Sequence, residues 1–194
     1  MSSIRKNSTM RIHWNSHGEL LHPLFEMPQR GIMFGSVKLV CALSKVKGME
    51  KIMIALGCDH GGFELKQEVI KHLQERNIEF KDFGTYTKDS CDYPVFAKKV
   101  AEAVVSKECE FGILICGTGI GISIAANKVK GIRAALCHDC FSAKATREHN
   151  DANILAMGAR VIGPGLALMI VDTFLDTPFS NDARHIRRIG LIED

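Results

Sequence analysis

Between Phe111 and Lys128 the chain reads FGILICGTGIGISIAANK: an apolar run, a glycine-rich turn and a small-residue segment in direct succession. Few folds accept that order. An unbroken apolar run closed by glycine fits a strand buried on both faces, as in a parallel sheet covered by helices. Gly117, Gly119 and Gly121 let the backbone approach a ligand, with amide N–H groups exposed where a helix begins. Cys116 stands at that junction, where a helix dipole favours negative charge.

The rest of the chain repeats the pattern. Apolar spacing predicts strands at Lys51–Gly57, Ile78–Phe83, Phe111–Cys116, Ile132–Cys137 and Ile154–Met157. Helices are predicted over Gly61–Arg76, Val95–Ser106, Ile120–Lys128, Cys140–Glu148 and Pro164–Leu175, with a helical tail from Asn181 to Ile192. Strand and helix in alternation, with short connections, predict an α/β doubly wound parallel sheet of order 2-1-3-4-5. Ligands of such sheets bind beyond the carboxyl ends of the strands, where the strand order reverses. That point lies between strands one and three, which end at Cys58-Asp59-His60-Gly61-Gly62 and Cys116-Gly117-Thr118-Gly119.

Residues 1–48 differ. They hold the only tryptophan, Trp14, and no sustained period, and read as an N-terminal extension, disordered or upstream-derived. Residues 49–194 form the domain, with Met49 or Met53 as its natural start. The net charge of +3 comes from the extension, so the domain has no basic face for nucleic acid. No apolar stretch is long enough to span a bilayer. Seven scattered cysteines, an odd number, point to a reducing cytoplasm rather than a disulfide framework.

Each polar cluster has a chemical and a plain structural reading. Gly117 and Gly119, with Asp139 farther on, partly match a dinucleotide fingerprint, but Ile122 holds its third glycine position. Cys137 and Cys140 form a C-x-x-C, either a redox pair or a strand end followed by a helix start. The run Arg147-Glu148-His149-Asn150-Asp151 either caps a helix or offers His149 as a general acid/base. Arg184 and Arg188, four residues apart on one helix face, either meet solvent or converge on a phosphate, with Arg160 able to join them. There is no H-E-x-x-H, no paired-carboxylate spacing and no dense Cys/His set, so no catalytic metal is expected.

Four ordered motifs, GCDHGGFELK at Gly57–Lys66, DYP at Asp92–Pro94, ICGTGIGISIAANK at Ile115–Lys128 and REHNDANILAMGARVIG at Arg147–Gly163, resemble one family. It is the ribose-5-phosphate isomerase B / galactose-6-phosphate isomerase (RpiB/LacAB) group of sugar-phosphate isomerases, and the resemblance covers residues 51–194. It implies a Rossmann-like three-layer α/β/α sandwich, a homodimer or dimer of dimers, and sites at the subunit interface. By the same resemblance Cys116 is the base, and Thr118 with the amides of Gly117, Gly119 and Gly121 holds the enediolate. His149 opens the sugar ring beside Asn150. Asp59, His60 and Tyr93 contact substrate, and Arg160, Arg184, His185 and Arg188 bind the phosphate end. The implied reaction interconverts ribose 5-phosphate and ribulose 5-phosphate in the cytoplasm without cofactor or metal. Galactose 6-phosphate and allose 6-phosphate are the alternatives within the family.

Overall fold

The computed structural model describes residues 52–194, so the readings made for residues 1–48 lie outside the described residues. Five strands form one parallel sheet: β1 (Met53–Cys58), β2 (Glu79–Asp82), β3 (Phe111–Cys116), β4 (Ala134–Leu136) and β5 (Ile154–Gly158). Six helices connect and follow them: α1 (Phe63–Glu75), α2 (Tyr93–Val105), α3 (Ile120–Ala126), α4 (Cys140–Asn150), α5 (Pro164–Asp176) and α6 (Ala183–Glu193). Among the described residues, none of these helices is long and apolar enough to cross a membrane.

The apolar faces explain the layers. Leu65, Val69 and Leu73 of α1 recur at helical spacing, and with Ala167, Ile170 and Phe174 of α5 they cover one side of the sheet. Ala97, Val100 and Val104 of α2, with Ile122 and Ala126 of α3, cover the other side. The central strands β1, β3 and β5 are buried almost throughout, as strands sandwiched between helices must be. This is the expected α/β/α sandwich.

The strand order needs a correction. The sheet runs β2-β1-β3-β5-β4, not 2-1-3-4-5. Burial supplies the reason: every residue of β5 is buried, whereas β4 keeps only Ala134–Leu136 and none of these is fully buried. The shorter, wetter strand takes the edge and β5 returns to the interior. The reversal between β1 and β3 survives, and β5 now lies against β3 with Cys116 opposite Gly158. Whatever follows β5 is therefore delivered beside the end of β3.

Two predicted helices also extend toward the candidate residues. Helix α2 begins at Tyr93, placing that ring on its first turn, and α4 continues to Asn150, taking in His149. Asp151 closes α4 in the left-handed conformation at φ 44°, in line with the capping reading of this segment.

Candidate active site

Cys116 is the last residue of β3 and is almost wholly buried. Its Sγ accepts the Gly119 N–H at 3.0 Å, a bond that strengthens as negative charge gathers on sulfur. Only glycine allows this turn. Gly119 has φ +77°, and a Cβ there would lie 2.4 Å from Leu136 Cδ1 and 2.8 Å from the Met157 carbonyl carbon. Thr118 is exposed, and its Oγ1 accepts the Ile120 N–H at 3.3 Å, a local bond just ahead of α3.

The other residues of the upper cluster arrive from three separate strand ends. After β1, Asp59 Oδ1 accepts the Gly62 N–H at 3.0 Å and caps the short 3-10 turn His60–Gly62. Its own N–H donates to Ile115 O at 3.2 Å, which seats the loop against the end of β3. Tyr93 packs across Gly121, where an added Cβ would come within 2.7 Å of the ring. After β5, Ala159 N–H donates to Cys116 O and Arg160 N–H to Gly117 O, both at 2.9 Å. The Arg160 side chain then lies over Gly117, 3.5 Å from where its Cβ would stand. Asp59, His60, Tyr93, Cys116, Thr118 and Arg160 thus surround one glycine turn at the carboxyl end of the sheet.

His149, Asn150, Arg184, His185 and Arg188 are not part of that ring. Helix α4 starts at the carboxyl end of β4 and returns toward the amino end, so the nine steps from Cys140 carry His149 about 14 Å down the sheet. Arg133, which precedes β4, donates to Asn150 O at 2.9 Å and so marks that lower end. His185 joins His149 there. The two rings lie 4.5 Å apart, and Ser180 Oγ sits 2.8 Å from His185 Nδ1. Arg184 and Arg188, on the exposed side of α6, are next to this histidine pair in the chain. Arg133 also pairs with Glu193 at 2.6 Å, tying α6 to the same end. The sequence-predicted residues therefore form two clusters on one chain, separated by the depth of the sheet.

Two alternative chemistries lose their footing. Burial pushes the Cys137 thiol up to about 12, with the Asp139 charge adding to it, the wrong direction for a redox nucleophile. Asp139 is spent on capping α4: Oδ1 accepts the Ser142 N–H and Oδ2 the Ser142 hydroxyl, each at 2.7 Å, which holds its carboxyl below the usual range. Among the described residues no group of three or more His, Cys, Asp or Glu is placed to hold a metal. A cleft of about 570 Å³ between β2 and α2, with Lys81, Phe83 and Lys99 in its wall, lies away from both clusters.

Motif reading passes over one residue near the upper cluster. Lys66 of α1 is fully buried, and it falls on the apolar stripe with Val69 and Leu73 at helical spacing. A lysine in register with core positions is the signal that could have found it.

Comparison with known proteins follows the same residues. The ribose/galactose isomerase family model matches residues 54–192. Ribose-5-phosphate isomerase B of Escherichia coli is 52% identical over 139 residues, covering 72% of this chain and 93% of its own length. The Clostridium thermocellum ribose-5-phosphate isomerase B structure superposes with a TM-score of 0.72 at 57% identity, over 73% of this chain and 95% of its own. A ribose 5-phosphate isomerase structure from Thermotoga maritima gives the same TM-score at 53% identity, over 73% of this chain and 97% of its own.

Proposed function

The chain belongs to the ribose/galactose isomerase family, and on that premise we propose that it interconverts ribose 5-phosphate and ribulose 5-phosphate with Cys116 as the base. The supporting observation is the Cys116 sulfur at the strand end, held by the Gly119 amide and ringed by the glycine turn. In the open-chain aldose the thiolate takes the C2 proton. The electron pair moves into a C1–C2 double bond, and the carbonyl oxygen at C1 becomes an enediolate oxygen. Thr118 and the amides of Gly117, Gly119 and Gly121 stabilise that charge. Return of the proton to C1, with transfer of the hydroxyl proton between the two oxygens, completes the ketose. Atoms and charge balance without a redox cofactor or metal.

His149 is assigned to opening the sugar ring, with Asn150 beside it, and Arg160, Arg184, His185 and Arg188 to the phosphate end. Since His149 and Cys116 lie toward opposite ends of the sheet within one chain, the proposed site is completed by a second copy. Apolar side chains exposed on α3 and α4 support this: Ile124 is 55% exposed and Phe141 81%. A homodimer, alone or paired into a tetramer, is the proposed state. The free cysteines of the described residues favour a reducing compartment, and the cytoplasm is the proposed location. Residues 1–48 are proposed as an extension to the isomerase domain at 49–194, in keeping with a family match that starts at residue 54.

The deciding experiment compares turnover of ribose 5-phosphate and galactose 6-phosphate by wild type and Cys116→Ala. Ribose 5-phosphate should be the better substrate. Turnover should fall by roughly 10³-fold in the variant, within the usual range for loss of a general base, while substrate affinity changes little. Activity retained in Cys116→Ala would remove the base assignment. Preference for the hexose phosphate would move the reading to the galactose branch.

A further inference from the structure

Lys66 lies on the buried stripe of α1, and its side chain is wholly excluded from solvent. A buried ammonium persists where each of its protons finds an acceptor. Here Nζ donates to Asp82 Oδ1 at 2.7 Å, to Asp82 Oδ2 at 2.6 Å and to Thr85 O at 2.8 Å. Asp82 ends β2 and Thr85 lies in the turn that follows it. That turn is clamped to β1 as well: Cys58 N–H donates to Gly84 O at 2.7 Å, and Thr85 N–H to Cys58 O at 2.8 Å. Farther along, Lys88 pairs with Glu64 of α1. The loop then reaches Cys91, whose backbone N–H donates to His60 Nδ1 at 3.2 Å.

A backbone amide is always the donor, so Nδ1 must accept, and the neutral ring carries its proton on Nε2. We infer that Lys66 is a positioning residue for the substrate site: by anchoring the 82–92 loop it holds Cys91 where its amide fixes His60 in the Nε2–H tautomer. The inference rests on the proposed role of His60 as a substrate contact. In that tautomer the ring's free nitrogen is a donor to a phosphate or hydroxyl oxygen. With the opposite tautomer it would present a lone pair, which repels a phosphate oxygen and can only accept from a hydroxyl. Neither Lys66 nor Cys91 has to touch substrate for this to matter.

The test uses 15N-labelled protein without substrate and long-range 1H–15N correlation spectra of the histidine rings, with His60→Gln to assign the signal. Wild type should show a protonated Nε2 and an unprotonated Nδ1 at His60. Lys66→Met should convert this to a mixture of tautomers. Cys91→Pro, which deletes the amide proton from a loop outside the core, should do the same and serves where Lys66→Met does not fold. In both variants KM for ribose 5-phosphate should rise roughly tenfold, the weight of one hydrogen bond to a charged group, with kcat within about twofold. A wild-type ring protonated at Nδ1 overturns the inference, and so does an unaltered ring in the variants. A mixed tautomer with unchanged KM overturns the link to substrate. The spectra need no turnover, so the tautomer result stands or falls even where ribose 5-phosphate proves not to be the substrate.

Discussion

Cys58, Cys116 and Cys137 each end or follow an apolar strand, yet their surroundings divide them. Cys116 receives an amide hydrogen bond and borders the glycine turn. Burial instead pushes the Cys58 thiol from 9.0 up to about 12, and the Cys137 thiol moves equally far for the same reason. The fold thus favours two neutral thiols that the unfolded chain would ionise above pH 9. Below that pH both states hold the protons and the preference contributes in full. Between about pH 9 and 12 the unfolded state binds fewer protons, so stability falls as pH rises. Urea midpoints across this window should decline more steeply in wild type than in the Cys58→Ala/Cys137→Ala double variant. Equal slopes would show that these thiols are not held neutral.

Gly119 joins β3 to α3, and its geometry is exacting at both the backbone and the neighbouring strands. Its positive φ costs an L-residue about 1 kcal/mol, and an added Cβ would also press on Leu136 and the Met157 backbone. Gly119→Ala should therefore lose roughly 2–4 kcal/mol by urea unfolding, together with most activity. Gly163 is the control: nothing lies within 4 Å of where its Cβ would stand, and Gly163→Ala should stay within about 0.5 kcal/mol. Comparable stability in the two variants would mean the turn is not as tight as described. Periodicity made each strand and helix legible because burial repeats along the chain. Strand order is a choice of neighbours, which the same pattern does not encode. A clue was nevertheless present: Arg133 interrupts the apolar run Ile132–Cys137, whereas Ile154–Met157 is unbroken, as suits an edge and an interior strand respectively. Lys66 escaped notice because its partners, Asp82 and Thr85, meet it only through tertiary packing.

The placement of His149 was implicit in the alternation itself, since a helix that leaves the carboxyl end of one strand must return to the amino end of the next. One chain consequently carries two separate clusters, Cys116 with Arg160 above and His149 with His185 below. If a second copy completes each site, defects in the two halves should complement. Cys116→Ala and His149→Ala homodimers each lack one group in every site. A mixed dimer has one site missing both groups and one site with Cys116 and His149 intact. Co-refolding equal amounts gives half mixed dimers by random pairing, so about a quarter of wild-type activity should return. Sites contained within single chains would return nothing, because no chain in the mixture has both residues. Recovery near a quarter, absent when the proteins are mixed without dissociation, would place the reaction between two copies. No recovery after verified exchange would confine it to one and require His149 to act elsewhere.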